Sequence, residues 1–392
     1  MTTQIGLFGF GVVGQGLYEI LAQKNGTAPG RITRICVRDR AKPRSLPPGK
    51  FTFNPEDIFS DPDISHIVEA TDRPDDAFGI VRRGLLMGKT VVSANKKMLA
   101  ERLPELLHLQ RASGSRLLYE ASAGGSIPIF RNLEQFYRHD QVRGIRGVLN
   151  GSTNFMLSRM TDEGLAFPEV LALAQQSGFA ESDPTLDVDA HDPAYKLVLL
   201  IYQAFGKILA PESVLRLGIR HISAEDVGFA AQHSRKIRLL ATAEPAPEGK
   251  IRAHILPAMV PPRDPFFNLH DEYNGIQIQT FFTENQMLTG KGAGSLPTGF
   301  AVLSDLNASL RQEFAPVRLL AATAPTQNHL QHEVVIYWRC PDPGRRGLLT
   351  FQEILEETPL ESGFRVVGRI GLDALAAAAG ELGESRSFVA TM

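Results

Sequence analysis

The sequence predicts an α/β chain in three parts: a doubly wound parallel sheet, an α+β domain after it, and a small C-terminal α+β appendage. Three observations carry this. A short apolar strand runs into a glycine-rich turn and an amphipathic helix at IGLFGFGVVGQGLYEIL, where the spacing of apolar residues changes from strand-like to helix-like. Strand and helix patterns then alternate through SHIVEATD, DDAFGIVRRGLLMGK and TVVSANKKM, which indicates βαβ units and a parallel sheet. From about Arg131 the character changes, and pieces such as IRAHILPAMV and GIQIQTFF read as an antiparallel sheet with one wet face. The expected parts are residues 1–130, completed by 295–315, then 131–294, then 330–392.

Length and composition bound the functions. At 392 residues with 43% apolar content, the chain has room for two or three full cores. A net charge of −2 gives no basic bias, so nucleic acid is not an expected partner. Two cysteines, Cys36 and Cys340, make no disulfide framework and suit a reducing cytoplasm, where the chain is expected to reside. No apolar stretch is long enough to span a bilayer and no basic leader precedes the first strand, so no membrane association is expected.

Gly9, Gly11 and Gly14 fit G-x-G-x-x-G between a strand and a helix. The spacing serves a tight turn, close approach of a pyrophosphate, and helix-to-strand packing. The next strand, RITRICV, ends at Arg38-Asp39-Arg40. An acid there would accept the ribose hydroxyls of NAD, and arginines would hold a 2′-phosphate. The cluster favours NADP with NAD tolerated, and it serves equally as a solvated charge patch. Thr71, Ser93, Asn95 and Lys96 fall at or just past strand ends, where open parallel sheets bind ligands. Glu120 precedes Ala-Ser-Ala-Gly-Gly. A carboxylate with carbonyl oxygens turned to one point suits a hard monovalent cation as well as it suits a tight turn.

In the second part, the segment AESDPTLDVDAHDPAYKLVLLIYQAFG carries the chemistry. Its carboxylates, Glu181, Asp183, Asp187, Asp189 and Asp192, are broken by Pro184 and Pro193 and read as loop. Asp192 followed by Pro193 reads as an N-cap with proline at the first helical position. The helix that follows is apolar on all sides and therefore buried. Lys196 lies four residues after Asp192, on the same face. Taken alone, the segment fits a cap and a snorkelling lysine as well as it fits a buried ammonium met by a carboxylate or ligand. LTGKGAGSLPTGFAVLSDL is a second glycine-rich loop entering a helix, and EFAPVRLLAATAPTQNH reads as a linker.

The ordered set GLFGFGVVGQGL, VSANKKMLA, YEASAGGSIPI, LNGSTNFML, SGFAESDPTLDVDAHDPAYK and GKGAGSLPTG, running from about Ile5 to Leu306, resembles the homoserine dehydrogenase family. The resemblance implies a Rossmann nucleotide-binding domain and a catalytic, dimerising domain. It implies reversible NAD(P)H-dependent reduction of aspartate 4-semialdehyde to homoserine, a small-molecule substrate, in a homodimer or higher homo-oligomer. It assigns Lys196 to proton transfer, and in the mechanism expected from this Asp192 holds and orients the amine and Lys96 adds positive charge at the pocket. Cofactor contacts fall to Gly9, Phe10, Gly11, Val12, Val13, Gly14, Arg38, Thr71, Ser93, Lys96, Gly178 and Gly292. Substrate contacts fall to Glu181, Asp192 and Lys196, and a sodium site to Glu120, Ala123, Gly125 and Ile127. The chain departs from the family at Ala190-His191, where a glycine is usual. Only CPDPGRRGLLTFQEIL faintly resembles the ACT regulatory domain of many members, so feedback by threonine stays open. Rival readings are an acylating semialdehyde dehydrogenase, which needs a thiolate, a sugar-type oxidoreductase acting on a small aldehyde or polyol, and a non-catalytic NAD(P)-binding regulator.

Overall fold

The computed structural model describes residues 3–23, 30–311 and 325–392. The linker read at residues 313–329 lies outside the described residues except for its last five. The chain divides into two compact units, Met1–Arg138 with Gly290–Ala324, and His139–Thr289 with Pro325–Met392.

The first unit is built on six parallel strands: β1 (Thr3–Phe8), β2 (Gly30–Cys36), β3 (Phe51–Thr52), β4 (Ile64–Glu69), β5 (Thr90–Ser93) and β6 (Leu117–Leu118). Their order is β3-β2-β1-β4-β5-β6. Strand order reverses beside β1, which places the glycine turn after β1 at the switch point of a Rossmann-like sheet. The strands are near-continuous apolar runs because helices cover them. The buried cluster around Ile5, Leu7, Leu17 and Val68 is completed by Ala301, Val302 and Leu306. These three belong to the helix Ser295–Arg311, which the chain supplies after its excursion through the other unit. That helix and Val12–Gln23 meet at glycines. A methyl on Gly16 would lie 2.0 Å from the Ser295 carbonyl oxygen, and one on Gly299 would lie 2.5 Å from the Leu17 nitrogen.

The second unit holds one mixed sheet built from β7 (Val142–Val148), β8 (Leu215–Arg216), β9 (Lys236–Pro245), β10 (Ile251–Val260), β11 (Tyr273–Thr280), β12 (Asn285–Lys291), β13 (Glu333–Cys340), β14 (Glu353–Pro359), β15 (Phe364–Gly371) and β16 (Phe388–Thr391). The main path runs β12-β11-β7-β9-β10-β16-β13-β15-β14, with β8 beside β10. The pieces IRAHILPAMV and GIQIQTFF, read as parts of an antiparallel sheet, fall on β10 and β11, which pair antiparallel with β9 and β7. Residues 330–392 contribute β13 to β16 to this same sheet, joined through β16 at Ala258↔Thr391. A buried ion pair lies at the join. Arg339 donates from Nε to Asp226 at 2.7 Å and from Nη2 at 2.9 Å, and the Tyr337 hydroxyl donates to the same carboxylate at 2.8 Å. Asp226 in turn closes the capping box of the helix Ala224–Gln232.

Among the described residues, no helix is long and apolar enough to cross a membrane.

Candidate active site

In the first unit the glycine turn is open where a ligand would enter and closed elsewhere. Gly9 has φ 89°, a left-handed conformation, and a methyl there would lie 2.3 Å from the Ala70 carbonyl oxygen. A methyl on Gly14 would lie 2.6 Å from the Gly9 carbonyl oxygen, whereas Gly11 faces nothing within 4 Å. Gly9 and Gly14 are therefore fixed by backbone packing, and Gly11 by space left for something else. The helix Val12–Gln23 begins directly after, with its first amide groups at the turn. Phe10 is buried and packs edge-on to Tyr18 and Phe51, while Val12 is exposed and Val13 half-buried.

Thr71 and Ser93 are brought together by a residue the sequence reading passed over. Glu69, fully buried at the end of β4, accepts from the Thr71 amide at 2.7 Å, the Thr71 hydroxyl at 2.6 Å and the Ser93 hydroxyl at 2.6 Å. Burial pushes its carboxyl above the usual range against these three donors. A glutamate inside the apolar run HIVEA was the signal. Asn95 caps the helix Lys96–Ser113, accepting from the Met98 amide at 3.0 Å and donating to the Thr71 carbonyl at 3.1 Å. Lys96 is thus the first residue of that helix, half-buried. Arg38 is exposed and pairs with Asp72 at 3.0 Å and Asp76 at 2.5 Å. Asp39 accepts from the amides of Ala41 and Lys42 and so is engaged in a local turn.

The Glu120 carboxylate is buried and accepts from the amides of Phe130 at 3.0 Å and Arg131 at 2.7 Å. Its own amide donates to Asp305, which also pairs with Arg131 at 3.0 Å. Burial, then the neighbouring Asp305, raises the Glu120 carboxyl to about 8. Both side-chain oxygens are thus occupied by amides, and the Ile127 carbonyl accepts from Ile129. Gly125, at φ 56°, packs on Gly292, where a methyl would lie 2.5 Å from the Gly292 carbonyl carbon.

In the second unit the acidic segment contains one helical turn, Thr185–Val188, so it is not loop throughout. The buried helix then spans His191–Phe205. This corrects the capping assignment. Ala190, not Asp192, holds the N-cap position, without a side-chain bond, at φ 63° and fully buried. The Ile219 amide binds the Val188 carbonyl at 2.8 Å, and Gly218 packs against the same peptide. These contacts hold the chain where the extra turn arises. Asp192 therefore sits inside the first turn and faces Lys196, with the carboxylate 2.8 Å from the ammonium and both residues 5% exposed. The ammonium also donates to the Leu149 carbonyl at 2.7 Å.

Asn150 organises this pair. Its side-chain oxygen accepts from the Thr153 amide at 2.8 Å, capping the helix Gly151–Glu163. Its amide group donates to Asp187 at 2.6 Å and to Asp192 at 2.9 Å. The sequence reading placed Asn150 in a motif without a role; only the fold shows that one side chain serves both tasks. Glu181 is exposed, and its carbonyl accepts from Gln175 at 3.0 Å. Gly178 ends the helix Phe167–Gln176 at φ 75°.

A thiolate route lacks its nucleophile. Cys36 is buried in β2 with its thiol pushed up to about 11, by burial first and Asp57 second, and Cys340 is fully buried.

A nucleotide turn at a Rossmann switch point, with a buried lysine–carboxylate pair elsewhere in the chain, defines an NAD(P)-dependent oxidoreductase. The homoserine dehydrogenase NAD-binding domain model matches residues 9–120, and the homoserine dehydrogenase model matches residues 128–306. The chain is 38% identical to the homoserine dehydrogenase of Synechocystis over 317 residues, covering 78% of this chain and 73% of that one. It is 33% identical to that of Bacillus subtilis, covering 79% and 73%. A crystal structure of a homoserine dehydrogenase from Thiobacillus denitrificans superposes with a TM-score of 0.87 at 28% identity, covering 100% of this chain and 98% of that one. A hyperthermophilic archaeal homoserine dehydrogenase in complex with NADPH superposes at 0.69 with 25% identity, covering 81% and 100%. The chain belongs to the homoserine dehydrogenase family.

Proposed function

We propose that the chain interconverts L-aspartate 4-semialdehyde and L-homoserine, with Lys196 as the proton-transfer residue. The observation that carries this is the Lys196–Asp192 pair, 2.8 Å apart and almost wholly buried. Desolvation offsets most of a buried ion pair's attraction, and this one lies within a single helix and joins no separate elements as Arg339–Asp226 does, so it points to chemistry. When bound, the nicotinamide supplies or accepts the hydride at the aldehyde carbon. The chain's residues handle the oxygen, which gains negative charge in reduction and must receive a proton. Lys196 gives that proton, or takes it in the reverse direction. Asp192 keeps the amine oriented, and Asn150 keeps Asp192 in place. Lys96 adds positive charge, and Glu181 meets the substrate ammonium.

The nucleotide turn fits a dinucleotide: amides open at a helix start, a glycine with clear space at Gly11, and Thr71 and Ser93 fixed at strand ends. Gly9, Phe10, Gly11, Val12, Val13 and Gly14 would hold its phosphates, with Thr71, Ser93, Lys96, Gly178 and Gly292 as further contacts. We favour NADP over NAD. Asp39 is committed to its own turn, and Arg38, paired here with the carboxylates of Asp72 and Asp76, would exchange them for a 2′-phosphate. A sodium ion would be held by Glu120 with the backbone at Ala123, Gly125 and Ile127. There it would balance two buried acids that face a single arginine. A homodimer in the cytoplasm completes the proposal.

The test is NADP+ reduction with homoserine by the intact protein and by Lys196→Ala. Turnover should fall ~10²- to 10⁴-fold, the usual worth of a positioned acid or base, with NADPH binding retained. Near-normal turnover of the variant removes Lys196 from the mechanism, and phosphate-dependent oxidation of the semialdehyde would overturn the reaction itself.

A further inference from the structure

The second unit contains a cavity of about 400 Å³ that neither Asp192 nor Lys196 lines. Its lining brings Arg216, Arg220 and His221 together with Asp189, His191, Leu382 and Val389. Two guanidinium groups, one carboxylate and apolar side chains therefore share one cavity. Arg220 is spoken for: it donates to Asp189 at 2.6 Å and to the Thr185 hydroxyl at 3.1 Å. Arg216 is not. It is half-buried, with no acidic partner among the described residues, and its one hydrogen bond there is a 3.4 Å contact to the Pro211 carbonyl. A half-buried guanidinium without an acid has donors left for a carboxylate from outside. The field around it is positive in other respects. Burial, and then Arg220, push the neighbouring His221 imidazole below its usual range.

We propose that this cavity binds a small carboxylate with a short apolar tail, its charge on Arg216 and its tail against Leu382 and Val389. The site is coupled to the acidic segment. Arg220 grips Asp189, and Asp189 lies between Asp187 and Asp192, both held by Asn150. A carboxylate beside Arg216 competes with Asp189 for Arg220, loosens residues 185–192 and lowers turnover. By linkage, substrate bound against that segment weakens the carboxylate. The coupling, unlike the binding, rests on the proposed role of Asp192 and Lys196.

The probe is isovalerate, titrated calorimetrically into the full chain, with isovaleramide as its neutral counterpart and inorganic phosphate as an anion without a tail. Saturable isovalerate binding is expected, weakened at least ~10-fold in Arg216→Gln and for isovaleramide, the range of one charge-assisted hydrogen bond. Inhibition of homoserine oxidation by isovalerate should disappear in the same variant, whose turnover without isovalerate should stay within about twofold of the wild type. No saturable binding, or binding unchanged in Arg216→Gln, overturns the site. Phosphate binding as tightly as isovalerate overturns the ligand class, and binding without inhibition overturns the coupling. Calorimetry reads the first two independently of the enzyme's reaction, so their failure is separate from a failure of Lys196 as the proton donor.

Discussion

Replacing Asn150 separates helix capping from the positioning of the reactive pair. Asn150→Ala loses the bond to the Thr153 amide and both bonds to carboxylates, Asp187 at 2.6 Å and Asp192 at 2.9 Å. A lost cap costs ~1 kcal/mol, and hydrogen bonds to charged groups are worth ~1.5–3 kcal/mol each. The combined loss of stability should be roughly 3–5 kcal/mol, since the carboxylates left without a donor relax in part. Asn150→Ser restores the cap, because a serine hydroxyl accepts from the same amide, but has no amine reaching Asp192. The serine variant should therefore regain ~1 kcal/mol over alanine in urea unfolding. Its turnover should remain as low as that of alanine, ~10²-fold or more below wild type, because misplacing the oriented base carries that kind of cost. Wild-type turnover in Asn150→Ser would refute the idea that Asn150 acts through Asp192.

Ala190→Gly should stabilise the protein by up to ~1 kcal/mol in the same unfolding assay, because alanine at φ 63° bears a strain that glycine does not. Gly9→Ala should abolish NADPH binding measured by fluorescence, since the new methyl meets the Ala70 carbonyl at 2.3 Å in a left-handed backbone. His254 is half-buried, with its pKa lowered to about 4 by desolvation first, then by His332, Arg252 and Arg146. The unfolded chain binds that proton at about 6.5 and the folded chain only near 4. Stability should therefore fall as pH drops through that window, by about 3 kcal/mol at most. His254→Gln should flatten that slope in urea melts at pH 4 to 7, and an unchanged slope would exclude this histidine as its source.

The doubly wound sheet was legible because its signals are local: Gly9, Gly11 and Gly14 at fixed spacing, and apolar runs that alternate with amphipathic ones. Lys196 and Asp192 were legible because four residues on a helix define one face. What surrounds them was not. Asn150 reaches Asp192 across 42 residues of chain and Asp187 across 37, and no periodicity records such a meeting. The N-cap assignment failed because Asp-Pro is a good local start signal, and tertiary contacts from Gly218 and Ile219 to Val188 overrode it. Glu69 was visible as an acid in an apolar strand, but its partners Thr71 and Ser93 come from two strand ends whose adjacency only the sheet order supplies. Residues 330–392 look separate by composition, yet they share a sheet through β16, because strand pairing across 130 residues leaves no compositional mark.

The helix Ser295–Arg311 lays glycine against glycine on the helix after the nucleotide turn, although some 280 residues separate them. During synthesis at ~5–20 residues per second, the first strands therefore wait roughly 10–50 s for the piece that seals their apolar side. A fragment ending near Arg138 would carry the entire phosphate turn yet expose the surface that Ala301, Val302 and Leu306 cover. Grafting this nucleotide module into another enzyme thus requires two cuts and a transplanted helix, and a single contiguous cassette should yield aggregated material.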